Sequence, residues 1–284
     1  MRKYSILFIS ILCVGFLTVS CRRTHTRNKG KNAKSVTAVR SNQLVSTETS
    51  PEKVVTASDN QFLSPKPQSK EEILLCRTAY CLSYNKGTRC PNWVSWHLTA
   101  EHADGDVKRF NGYIEDEEVP EPRATNEDYR GSGWSRGHMC PAGDCKWDAK
   151  AMSESFLLTN MCPQDKSLNS GLWNRIEMDC RKWAKKYGSV YIVCGPVLYN
   201  KEHETIGENK VVVPEAFFKV VLCLQGRPKA IGFVVKNNAG TRKKDQYVNT
   251  VDEVERITGY DFFPALPDDI ENEVESYADI DDWR

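Results

Sequence analysis

Aromatic and β-branched residues run from Tyr80 to Tyr84 and again from Trp93 to Thr99, on either side of the polar Asn85-Lys86-Gly87, which predicts a β-hairpin. Val190 to Cys194, Phe217 to Leu224 and Ile231 to Val235 are further apolar runs of strand length. Asp148 to Leu158 is spaced as a helix, with Ala149, Met152 and Phe156 on one face. Trp173, Ile176, Cys180, Trp183, Ala184 and Tyr187 recur at steps of three and four, the single apolar stripe of a longer helix opening near Asn169. Thr250-Val-Asp-Glu253 reads as a capping box, with Val251, Val254 and Ile257 inward and Gly259 as the stop. Lys108-Arg109-Phe110 and the acidic stretch from Glu115 to Pro122 fall in polar connections. Strands and helices interleave without the regular alternation of a doubly wound sheet, so the expected fold is α+β, a mainly antiparallel sheet flanked by helices.

The two ends depart from this pattern. Arg2-Lys3 precedes a nearly unbroken apolar and small-residue run ending at Cys21, so residues 1–21 read as a secretory signal. Ser20-Cys21 resembles a bacterial lipoprotein cleavage site, at which Cys21 would carry lipid and hold the chain to a membrane. Thr18 stands where such sites usually have Leu, and plain secretion or an uncleaved anchor are the alternatives. Residues 22–70 are polar and aperiodic with a net charge of +7, a basic disordered linker. Residues 268–284 form an acidic C-terminal tail, solvated or folded into a short helix, and from Leu266 onward the net charge is −7. The body between is near neutral, so nucleic-acid binding would need a local basic groove.

Eleven cysteines are present, nine of them beyond Cys21. That usage fits an oxidising compartment, and an odd count leaves at least one without a partner in the chain. None forms Cys-x-x-Cys, and His138-x-Cys140 with Cys145 fits no strong zinc spacing. His25, His97, His102 and His203 read as surface or hairpin residues.

Candidate chemistry gathers around Trp134-Ser135-Arg136-Gly137-His138 and the helix after Asn169. At about 100° per residue, Glu177 falls beside the apolar stripe and Arg181 just beyond it, with Asn169 at the cap position. The three then share one flank at the border of core and solvent. Singly, each has an ordinary reading: Asn169 as an N-cap, Glu177 with Arg181 as an i,i+4 ion pair, and Lys182, Lys185 and Lys186 as a solvated face.

The wider run of residues resembles the DNA/RNA non-specific endonucleases of the ββα-metal superfamily, which include endonuclease G. It comprises Asn92-Trp93-Val94, Asp128-Tyr129, Arg136-Gly137-His138 with Pro141-Ala142, and Leu158 through Gln164. Leu168-Asn169 with Trp173 and Glu177 follows, then Gly195-Pro196, and Val251 through Glu255 with Thr258-Gly259. The resemblance implies a nuclease domain over 71–267 with a ββα-metal motif. It implies His138 as general base, Asn169 as the protein ligand of a Mg²⁺ ion (Mn²⁺ as substitute) and Glu177 holding water on that ion. Arg136, Arg181 and Arg109 would meet phosphate, and Asn160 would support the site. The implied partner is the phosphate backbone of DNA and RNA; a homodimer and a restraining protein inhibitor stay open. Ser135 stands where the family usually has Asp, which raises a second reading, a nucleic-acid-binding surface lipoprotein with weakened catalysis. A disulfide-rich structural module is a third reading, and it leaves Asn169 and Glu177 unexplained.

Overall fold

The computed structural model describes residues 64–66, 72–239 and 243–284. Its strands are β1 (Glu72–Cys76), β2 (Cys81–Asn85), β3 (Cys90–Thr99), β4 (Ser135–His138), β5 (Met161–Gln164), β6 (Ser189–Val197), β7 (Thr205–Ile206), β8 (Val211–Val212), β9 (Ala216–Cys223), β10 (Lys229–Lys236) and β11 (Val248–Asn249). Its helices are α1 (Asn126–Tyr129), α2 (Ala149–Glu154), α3 (Lys166–Leu168), α4 (Asn174–Tyr187), α5 (Val251–Thr258) and α6 (Asp268–Glu275). Seven strands form one antiparallel sheet in the order β1-β2-β3-β6-β9-β10-β11, and β4 pairs with β5 in a separate ribbon. The expected α+β fold is what the chain adopts.

Alternation along β9 sorts its side chains between the two faces of the sheet. Phe217, Val221 and Cys223 join the cluster that holds Trp173, Ile176, Cys180 and Trp183 at and within α4. Phe218, Val220 and Leu222 join the cluster with Val251 and Val254 of α5 and Val274 of α6. With both faces covered, β6 and β9 have no solvent side, which is why they read as unbroken apolar runs. The β2–β3 turn closes on Asn85, whose side-chain oxygen accepts from the backbone N–H of Gly87 at 2.8 Å. Thr250 caps α5 by accepting from Glu253 N–H, and Gly259 ends it in the left-handed conformation at φ 72°. The reciprocal half of the expected capping box is replaced, because the Glu253 carboxylate pairs with Arg256.

One expected element differs in length. The helix from Asp148 stops at Glu154, because Ile114 captures the chain that follows: its N–H donates to Phe156 O and its carbonyl accepts from Leu158 N–H. The acidic C-terminal stretch takes its helical form as α6, and Trp283 beyond it is buried, 4.6 Å from the Trp183 ring. The expected signal segment 1–21, and the linker 22–70 apart from residues 64–66, lie outside the described residues. Among the described residues no helix is long and apolar enough to cross a membrane. Cys76 and Cys81 form a disulfide, and Cys90, Cys140, Cys145, Cys162, Cys180, Cys194 and Cys223 are buried thiols.

His97 is a hairpin residue, half-buried in β3 and stacked on Tyr191 at 4.2 Å, with its Nε2 lacking a hydrogen-bond partner among the described residues. Burial, with His102 nearby, pushes its pKa down to about 4. The unfolded chain takes up that proton near pH 6.5, so stability is full above this value and falls as pH drops toward 4. Urea denaturation across that window should show the loss, and His97→Gln should flatten it; an unchanged slope in the variant would remove His97 as its source.

Candidate active site

The β4–β5 ribbon, the helical stretch after it and the loop of Arg109 bring six of the expected residues to one cleft. Its volume is about 390 Å³, and its walls include Arg109, Arg136, His138, Asn169, Glu177 and Arg181. Tyr113, Ser170 and Asn174 also line it and were not foreseen. Arg136 and His138 are two apart on β4, hence on the same face of the ribbon. Trp173 fastens the ribbon to the helix by donating its Nε1–H to the His138 carbonyl at 3.3 Å.

Asn160 is fully buried and does not line the cleft. Its oxygen accepts from Cys140 N–H at 2.9 Å, and its amide donates to Cys140 O at 2.9 Å and Ser155 O at 2.8 Å. Two of these bonds fix the backbone two residues beyond His138, and the third ties it to Ser155. The Arg136 guanidinium lies between the Tyr113 and Tyr129 rings, 4.8 and 5.0 Å from their centres, and donates to Asn126 O at 2.8 Å. Arg109 sits on an exposed loop with its guanidinium 4.8 Å above the Phe156 ring.

Asn169 is not an N-cap. Asp165 caps this helical stretch by accepting from Leu168 N–H at 2.9 Å, and Asn169 is already helical, opening a π-helical segment, Asn169–Trp173, between α3 and α4. Such π turns are rare and often mark functional sites, because the extra residue re-aims the side chains around it. Ser135 explains the aim of Asn169. Its Oγ donates to Gln164 O at 2.7 Å, which spends the hydroxyl's only proton, and accepts from Asn169 Nδ2 at 3.2 Å. The amide nitrogen is thereby held to β4, leaving the Asn169 oxygen as the unheld end of a side chain that lines the cleft. Ser135 thus braces Asn169.

Behind Glu177 lies a polar layer that the sequence did not reveal. Arg181 donates to Asp144 Oδ1 at 2.6 Å, and Trp96 donates to Asp144 Oδ2 at 3.1 Å. Lys219, on the α4 face of β9, is fully buried, its ammonium 4.5 Å from the Trp173 ring centre and 4.9 Å from that of Trp96. Burial works against its charge, but Cys194, Glu177, Cys180 and Asp144 more than offset this and raise its pKa. Glu177 is pushed up to about 7 by burial, with Lys219 the largest opposing influence. Lone among the apolar neighbours Phe217, Phe218, Val220 and Val221, Lys219 was visible as an anomaly, but its partners come from other elements.

The His138 imidazole stands edge-on to Phe156 at 4.9 Å, and its Nε2 is buried without a hydrogen-bond partner among the described residues. Burial, aided by Arg109, pushes its pKa down to about 3, so the ring is neutral at pH 7 and able to accept a proton. Lys182, Lys185 and Lys186 do not line the cleft; they bind Asp179, Asp104 and the Arg284 carbonyl.

Residues 58–269 match the pattern that defines the DNA/RNA non-specific endonucleases. The mitochondrial nuclease EXOG of Homo sapiens is 39% identical over 67% of this chain, which spans 57% of that protein's length. Human mitochondrial endonuclease G is 34% identical, covering 68% of this chain and 70% of its own. A nuclease of Nostoc sp. is 30% identical, covering 76% and 82%. The solved EndoG/EndoGI complex contains a chain that superposes with a TM-score of 0.65 at 32% identity, over 68% of this chain and 86% of its own. This chain belongs to the DNA/RNA non-specific endonuclease family.

Proposed function

We propose that this protein is a metal-dependent endonuclease that hydrolyses phosphodiester bonds of DNA and RNA without reading base sequence. The observation that carries this is the single cleft combining a neutral buried imidazole, three arginines and two oxygen donors. The nuclease names of its relatives support the same reading.

The oxygen donors that line the cleft, the amide oxygen of Asn169 and the carboxylate of Glu177, suit a hard divalent cation. Asn169 would hold the ion and Glu177 would orient the water around it; Mg²⁺ is the proposed occupant, with Mn²⁺ as substitute. Such an ion supplies Lewis-acid stabilisation of the charge that builds on phosphate and leaving oxygens. The chain's own groups do the rest. His138 Nε2 takes the proton of the attacking water. Arg136, Arg181 and Arg109 hold phosphate oxygens through paired N–H groups. Contacts of this kind position the backbone and carry no sequence information, so DNA and RNA are both substrates. A base with a pKa near 3 is weak; an arriving phosphodiester offsets Arg109 and strengthens it.

Export, with lipid at Cys21 holding the nuclease to the cell envelope, is part of the proposal and rests on residues 1–21. To test the activity, DNA and RNA strands of matched sequence are incubated with the purified protein. Both should be cut and chelator should stop both reactions; strict cleavage of one sugar type would refute the reading. Binding without cleavage would favour the weakened lipoprotein, but Ser135 as placed orients Asn169 and gives that alternative no structural support.

A further inference from the structure

Asp252 and Glu255 stand three positions apart on α5, and Glu275 is the last residue of α6. One carboxylate oxygen of each lies within 4.8 Å of the others, and none of the three lines the cleft. Glu275 is 8% exposed, and its Oε1 is buried with no hydrogen-bond partner among the described residues. Oε1 of Glu271, one turn earlier on α6, is in the same condition. Buried polar atoms are nearly always paired in folded proteins, so two orphaned carboxylate oxygens on one helix demand a partner.

Nearby donors do not supply one. Arg256 pairs with Glu253, Arg227 with Glu273, and Lys66 with Asp261, all at the surface. The Phe262 N–H reaches Glu255 Oε1 at 2.7 Å and leaves the rest of the cluster untouched.

We propose that Asp252, Glu255 and Glu275 form a divalent-cation site of the Ca²⁺ type, separate from the cleft, that ties α6 to α5. All donors are carboxylate oxygens, contributed by two helices and open to water at Asp252, the kind of adaptable set that Ca²⁺ accepts. The absence of nitrogen or sulfur ligands disfavours zinc and copper. Burial, then Glu255, Glu271, Asp252 and Asp261, push Glu275 up to about 8. The ion would secure α6 and, through it, the chain that runs on to the buried Trp283. The proposal does not depend on the nuclease reading.

The test uses the full chain carrying Asn169→Ala, which removes the amide donor of the cleft. Thermal unfolding is followed in chelator and then in saturating Ca²⁺, with calorimetric titration of Ca²⁺ alongside. The midpoint should rise by about 5 °C or more with one Ca²⁺ bound. Adding Glu275→Gln should remove both the rise and the binding, and the neutral amide should leave the midpoint in chelator no lower. Asp252→Asn, at an exposed position, should shrink the rise and serves if the first variant folds poorly. No rise, or a rise that survives both substitutions, overturns the proposal. No rise together with stability that climbs as pH falls through about 8 would identify a shared proton in place of the ion.

Discussion

Replacing His138 by Ala is expected to abolish cleavage while leaving the fold and nucleic-acid binding in place. Loss of a positioned general base costs about 10²–10⁴-fold in rate. Among the other groups lining the cleft, Arg109, Arg136 and Arg181 are cations and Asn169 has no basic nitrogen, which leaves Glu177, assigned to the water around the metal, as the one alternative base. The arginines that would hold phosphate are untouched, so binding measured in chelator should stay within a few-fold of wild type. The ring also packs against Phe156, and its removal leaves a small cavity, so unfolding should be followed alongside. Full activity in the variant would show that another group is the base.

Replacing Lys219 by Met is expected to have the second largest effect, and on the fold as much as on the chemistry. Lys219 is fully buried, and it is the largest influence holding the Glu177 pKa down. Taking one member from a buried charged group leaves the others uncompensated, at about 3–5 kcal/mol. Asp144 keeps Arg181 at 2.6 Å, so Glu177 bears most of the loss. The Glu177 pKa, about 7 with Lys219 in place, should rise further. A carboxyl whose folded pKa lies above its unfolded value destabilises the fold increasingly as pH climbs between the two. The penalty should therefore be large above pH 7 and small near the ordinary carboxylate pKa of 4.5, when urea denaturation is measured in chelator. A pH-independent penalty would mean that Lys219 only fills space between Trp96 and Trp173.

The strands, the α4 stripe and the gathering of Arg136, His138, Asn169, Glu177 and Arg181 were legible in the sequence. Periodicity fixes which face of α4 is buried, and residues beside that stripe must border the core. The sequence alone does not announce a π turn, so it puts the cap at Asn169, whereas Asp165, four residues earlier, holds it. Periodicity extends α2 to Leu158 because local propensity does not register that Ile114 pairs with Phe156 and Leu158. Ser135 looked like a loss because its partners, Gln164 and Asn169, lie 29 and 34 residues away. Lys219 and Asp144 escaped for the same reason. A polar layer assembled from a strand, a loop and a helix has no signature along the chain.

The most direct test of the central claim is the rate of plasmid cleavage against Mg²⁺ concentration for wild type, Asn169→Ala and Ser135→Ala. The wild type should be inactive in chelator and saturate with metal. Asn169→Ala should need far more metal or fail altogether. Ser135→Ala, which frees the Asn169 amide, should shift the curve by about 10–100-fold toward higher Mg²⁺, the usual cost of losing a side chain that orients a ligand. Wild-type cleavage in chelator, or one titration curve shared by all three proteins, would contradict the assignment of this cleft as a metal-dependent phosphodiester-cleaving site.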